Sequence, residues 1–211
     1  MPRESLQDKK LRARKIFQRL HKAYPNAGLQ LNYEEPMQLL AAVILSAQAT
    51  DAQVNKVTEK LFKKYKTIDD FADADIRTFR TEIKSINYYN SKGKYIVESA
   101  RKIRDDYESK IPNDLSELTE LPGVARKTGT IVQYELYGKA EGIPVDTHVK
   151  RVAKKLKLSN GKTTRKIEKD LMKLYHKENW GEIAYYFQAY GRTVMKARGK
   201  AERPDPLIGL H

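Results

Sequence analysis

A chain of 211 residues, 40% of them hydrophobic, is long enough to bury a sizeable core in one domain or two. Its 41 Lys and Arg against 27 Asp and Glu leave a net charge of +14, which points to a polyanion, nucleic acid first, as partner; a thermophile's charged surface would enrich Glu together with Lys. The absence of cysteine excludes a disulfide scaffold, a thiolate metal site and a cysteine nucleophile, and the longest apolar run, LLAAVIL at 39–45, is too short to span a membrane.

Helical periodicity dominates the chain. Ala13, Ile16, Phe17, Leu20 and Tyr24 recur along one helix face, and the run from Met37 to Ser46 is apolar on every side, as a central buried helix would be. Thr50 and Asp51 supply a capping signal for a helix carrying Val54, Val57, Leu61, Phe62 and Tyr65. A short stripe follows at Ile76, Phe79 and Ile83, and Ser91 is a candidate cap for a helix with Ile96, Ala100, Ile103 and Tyr107. Leu115, Leu118 and Leu121 mark a short helix ending at Pro122, and Arg126–Tyr137 reads as the next, closed by Gly138. Asp146 can cap a helix with Val149, Val152 and Leu156 inward, Thr163 or Thr164 opens another, and Trp180 to Tyr190 forms the last, stopped by Gly191. No segment alternates with period two between hairpin turns, so the expected fold is all-α with about ten helices.

Chemistry concentrates in LPGVARKTG at 121–129. A Pro-Gly turn between two helices leaves backbone N–H groups at the second helix's start without intrahelical partners, a ready anion site on a basic protein, although such turns are also ordinary helix hairpins. Lys127 sits at that helix start, where the dipole favours acidic residues, so something other than helix stability keeps it there. An uncharged lysine amine is a nucleophile that can form a Schiff base. Asp146, in GIPVDTHVKRVAKKL at 142–156, is a plain N-cap or a carboxylate that takes a proton or stabilises positive charge. His148, two residues later, is expected to be structural.

LPGVARKTG, followed by VDTHVKRVAKKL, resembles the helix-hairpin-helix DNA glycosylases, and within them the endonuclease III family. LLAAVILSAQATDAQVNKVT at 39–58 and INYYNSKGKYI at 86–96 resemble that family in order and spacing, so the resemblance covers roughly residues 10–195. It implies a two-lobed, all-helical fold: a six-helix barrel with the hairpin over 29–139, and a second, discontinuous lobe from 1–28 and 140–211. It implies an enzyme of base excision repair, a bifunctional DNA glycosylase and abasic-site lyase that removes oxidised pyrimidines from duplex DNA and cuts 3′ to the site by β-elimination. Lys127 would be the nucleophile at C1′ and Asp146 the catalytic carboxylate. Gln48 would fill the gap left by the flipped base. Tyr88 would wedge the opposite strand, where the family often shows an aliphatic residue. Leu121, Gly123, Ala125 and Arg126 would belong to the DNA-binding hairpin, which would also offer a site to a monovalent cation. Ala125 replaces a frequent glycine, so its backbone must avoid strongly positive φ, and Gly129 costs its helix about 1 kcal/mol of propensity relative to alanine.

The largest departure is at the C-terminus. Most endonuclease III-like chains end in four cysteines around a [4Fe–4S] cluster, whereas GRTVMKARGKAERPDPLIGLH at 191–211 has none, so no thiolate-held cluster can form. Leu207, Ile208 and Leu210 are expected to dock the tail in its place. The alternatives are a mismatch glycosylase acting on thymine or uracil, and a non-catalytic DNA clamp, which would need neither Lys127 nor Asp146. The expected protein is a soluble intracellular monomer, cytoplasmic or at the nucleoid, with damaged or abasic double-stranded DNA as partner.

Overall fold

The computed structural model describes residues 4–210, and among them the regular structure is helical, with no strand. The chain divides into two compact units, Gln30–Gly138 and Met1–Leu29 with Lys139–His211. Residues 1–3 and 211, part of the expected second lobe, lie outside the described residues.

The Gln30–Gly138 unit holds α2 (Pro36–Ser46), α3 (Asp51–Lys64), α4 (Ile68–Ala72), α5 (Ile76–Glu82), α6 (Tyr89–Asp106), α7 (Leu115–Glu120) and α8 (Arg126–Tyr137). Every residue of α2 from Met37 to Leu45 is buried, because α3, α6 and α8 all pack around it. Thr50 caps α3 by accepting from the Gln53 N–H. The short α4 was not visible as a period in the sequence. It is held by a capping box in which the Thr67 and Asp70 side chains each accept from the other's backbone N–H. Phe71 then packs with Tyr65 and Phe79, ring centroids 5.4 and 6.0 Å away.

The other unit holds α1 (Leu6–Ala23), α9 (Thr147–Lys155), α10 (Thr164–Met172) and α11 (Trp180–Thr193), preceded by a single 3-10 turn at Lys177–Asn179. Its core joins Ile16 and Leu20 of α1 to Val149 and Val152 of α9, Ile167 and Leu171 of α10, and Ile183, Phe187 and Tyr190 of α11.

Two expected boundaries are corrected. The helix assigned to Ser91 starts at Tyr89, and Ser91 lies inside its first turn; the chain enters it through Tyr88 in the left-handed region, without a side-chain cap. Gly191 does not stop α11, which runs on to Thr193. A Cβ at Gly191 would lie 3.1 Å from the His148 Cβ, so this glycine serves the close approach of α9 and α11.

The C-terminal segment is docked onto its unit. Leu207 is fully buried in the core and Leu210 packs against it, whereas Ile208, expected to join them, is 71% exposed. Arg19 donates to the Ile208 carbonyl at 2.8 Å and Arg12 to the Leu210 carbonyl at 3.2 Å. The Tyr190 hydroxyl donates to Asp205 Oδ1 at 2.9 Å, and the Arg203 guanidinium lies over the Tyr24 ring, 4.6 Å from its centroid.

Candidate nucleic-acid interface and active site

The hairpin between α7 and α8 begins as a type II turn. Leu121 has φ −70° and ψ 135°, Pro122 follows, Gly123 has φ +77°, and the Val124 N–H returns to the Leu121 carbonyl at 3.0 Å. Only glycine suits position 123. A Cβ there would take up strained backbone and would lie 2.8 Å from Tyr95 ring and Cβ atoms. The Ser99 hydroxyl donates to the Pro122 carbonyl at 2.8 Å and ties the turn to α6.

Ala125 occupies the N-cap of α8 with φ −76°, within the range any residue adopts. It has no side-chain oxygen, so the first turn of α8 has no side-chain cap. Lys127 stands in that turn and is exposed, as are Gly123 and Ala125; Arg126 is half-buried. Leu121 is 2% exposed, so its side chain packs in the core and only its backbone is left for the hairpin's outer face. The outward side chains of the hairpin belong to its neighbours.

Gln48 lies in the α2–α3 connection and Tyr88 at the end of the α5–α6 connection, both exposed and both in the same unit. Both are in the left-handed region, with φ 56° and 58°, a conformation that costs a non-glycine residue about 1–2 kcal/mol. Tyr88 is 63% exposed, not packed on the core as an ordinary loop tyrosine would be.

Asp146, in the other unit, is the N-cap of α9 and half-buried; its Oδ1 accepts from the Val149 N–H at 2.8 Å. His148 is structural: Arg151 Nη2 lies 3.0 Å from its Nδ1 and also donates to the Gly191 carbonyl. Burial pushes the imidazole below its ordinary value, and the Asp146 charge partly opposes that shift.

Two residues that tie the Gln48 and Tyr88 loops together escaped sequence reasoning. Lys92 is 5% exposed, and its ammonium donates to the carbonyls of Leu45 and Ala47 at 2.8 and 2.5 Å. Asn87 donates through Nδ2 to the Gln48 carbonyl at 2.9 Å. Lys92 falls four residues before Ile96 on the buried stripe of α6, and that register was the available signal.

Thiolate donors for an iron–sulfur cluster are lacking, and the C-terminal carboxylates are already engaged: Asp205 by Tyr190 and the Leu207 N–H, Glu202 by Lys196. The residues present do not fit a [4Fe–4S] cluster. Among the described residues no group of three or more His, Asp or Glu is placed to hold a metal ion. None of the described helices is long and apolar enough to cross a membrane.

An all-helical chain with a Pro-Gly hairpin, an exposed lysine just beyond it and a capping aspartate on a later helix has the attributes of a helix-hairpin-helix DNA glycosylase. The model of the HhH-GPD superfamily of base excision DNA repair proteins matches residues 41–177. Endonuclease III of Synechocystis sp. is 40% identical over 95% of this chain and 89% of its own length. That of Bacillus subtilis is 39% identical over 89% and 85%. The structure of endonuclease III trapped as a covalent intermediate with DNA superposes with a TM-score of 0.88, at 37% identity over 95% of this chain and 94% of that one. A thermostable thymine-DNA glycosylase shares the fold at 20% identity and a TM-score of 0.77, over 92% of each chain. The chain belongs to the endonuclease III family of HhH-GPD base excision repair proteins.

Proposed function

We propose that this protein is a bifunctional DNA glycosylase and abasic-site lyase acting on oxidised pyrimidines in duplex DNA. The observation that carries the reading is the exposed Lys127 in the first turn of α8, beyond the Gly123 turn, in a chain matched over 95% of its length by an enzyme solved in covalent linkage with DNA.

The glycosidic carbon of a damaged nucleotide is out of reach inside the duplex, so the nucleotide must leave the stack. Lys127 Nζ, deprotonated, attacks C1′; the C1′–N bond breaks and the base leaves with that electron pair and takes up a proton. Ring opening gives an imine between C1′ and Nζ. The imine acidifies C2′, and loss of a C2′ proton expels the 3′ phosphate, which cuts the strand. Asp146 is assigned the carboxylate that accepts the lysine proton or stabilises positive charge developing at C1′. Its hydrogen bond to the Val149 N–H fixes the side chain's rotamer, which supports a positioned carboxylate. Gln48 fills the vacated stack and Tyr88 wedges the opposite strand, both favoured by their exposure on held loops. Gly123, Ala125 and Arg126 hold phosphate at the start of α8.

Borohydride trapping on abasic duplex DNA tests this reading. Lys127→Ala is expected to abolish the trapped complex and strand cleavage yet keep most of the DNA affinity, because one charge among many phosphate contacts contributes modestly. Asp146→Asn is expected to slow base removal strongly at nearly unchanged stability, since Asn caps a helix about as well as Asp. Trapping that persists without Lys127, or full activity in Asp146→Asn, overturns the corresponding assignment.

A further inference from the structure

The two exposed loops at Gln48 and Tyr88 are not independent. The first leaves the C-terminus of α2, where Ala47 is the C-cap, and the second feeds α6. Three side chains join them. Lys92 of α6 reaches across to the Leu45 and Ala47 carbonyls, Asn87 donates to the Gln48 carbonyl, and Gln53 Nε2 of α3 donates to the Ser85 carbonyl at 2.6 Å. The ties bracket the left-handed residues on both sides.

An ordinary helix end needs none of this. A glycine after the last turn satisfies the terminal carbonyls at no conformational cost, and water serves an exposed end. Here a lysine ammonium is almost fully buried to bind two carbonyls at the end of α2, where the dipole favours a cation. Burial alone opposes its charge and pushes Lys92 below the ordinary lysine range. Two strained, exposed side chains flank this costly tie, and strain of that kind persists only where the surroundings over-determine it.

We propose that Lys92 and Asn87 are positioning residues that lock the Gln48 and Tyr88 loops into one rigid double-pronged probe, so that gap filling and strand wedging occur together. The proposal rests on the assignment of Gln48 and Tyr88 to the duplex. With the tie in place, both side chains are preorganised before DNA arrives, and the ordering cost of each loop is not charged to binding. With it cut, the Gln48 carbonyl loses its partner and the left-handed residues relax toward ordinary backbone.

The test is the single-turnover cleavage rate, enzyme in excess, at an abasic site in a duplex and in a single-stranded oligonucleotide of the same sequence. The single strand has no opposite strand to wedge and no gap to fill, so general damage lowers both rates while loss of the probe lowers their ratio. Asn87→Ala, at an exposed position, is expected to lower the duplex-to-single-strand ratio about tenfold. Lys92→Met is expected to lower it at least as far; if that variant fails to fold, the Asn87 series decides alone. Because Asn87 acts through Gln48, the double variant Gln48→Ala/Asn87→Ala is expected to fall no further than Gln48→Ala. A wild-type ratio in Asn87→Ala, or additive losses in the double variant, overturns the coupling and leaves the Gln48 assignment standing. A wild-type ratio in Gln48→Ala removes that assignment and the coupling with it.

Discussion

Individual side chains show where this protein departs from simple burial rules. Tyr175 is buried, its hydroxyl has no hydrogen-bond partner among the described residues, and burial drives its ionisation far above the ordinary tyrosine range. An unpaired buried hydroxyl costs about 1–3 kcal/mol. Tyr175→Phe removes that cost and keeps the ring packed 6.2 Å from Phe187. A thermal melt is expected to rise by about 2–4 °C per kcal/mol recovered in a chain of this size; a lowered melting temperature would reveal an unsuspected partner for the hydroxyl. Lys92 is the opposite case, a buried charge whose donors are used, and cutting it is not expected to be neutral.

At the scale of elements, the α7–α8 hairpin contains two glycines with different reasons to be there. Gly123 needs its positive φ and has Tyr95 against it, so Gly123→Ala combines backbone strain of about 1–2 kcal/mol with a clash against ring and Cβ atoms. Gly129 has an ordinary helical backbone, and an added Cβ would meet the far end of the Leu115 side chain at 2.8 Å. Alanine there gains about 1 kcal/mol of helix propensity against the cost of moving one methyl group. Urea denaturation is expected to place Gly129→Ala within about 1 kcal/mol of wild type and Gly123→Ala clearly below it. Equal losses would mean that the turn tolerates a side chain, contrary to its geometry.

Two expectations belong to the whole molecule. The first is stability without a cluster. Leu207 anchors the C-terminal segment in the core beside Arg12, Arg19 and Tyr190, which bind its backbone and Asp205. Leu207→Ala is expected to cost about 2–5 kcal/mol, and Ile208→Ala almost nothing, because one side chain is buried and the other 71% exposed. Matched melts of the two variants decide it, and equal melting temperatures would show that the segment is not a clasp. The second is charge. With a net charge of +14, and if six to ten phosphates are contacted, affinity for undamaged duplex is expected to fall about 10³–10⁵-fold between 50 and 200 mM salt. A flat response in a titration series would assign the charge to something other than DNA.

What the amino-acid order determined was local: α8 from Arg126 to the Gly138 cap, the Thr50 and Asp146 caps, and the placement of Lys127 at a helix start. These follow from capping chemistry and periodicity, which act within a few residues, and the four matching segments carried the family. What only the tertiary structure decided was which partner meets each side chain. Gly191 looked like a stop and proved to be the place where α9 and α11 approach closely. The Leu121 side chain turned inward from the hairpin, while Leu207 and Ile208, adjacent and equally apolar, went to opposite fates. The register of α6 puts Lys92 on the buried stripe, but the carbonyls that its ammonium meets come from the end of α2. Such outcomes depend on contacts between residues distant in the chain, and no local pattern records them.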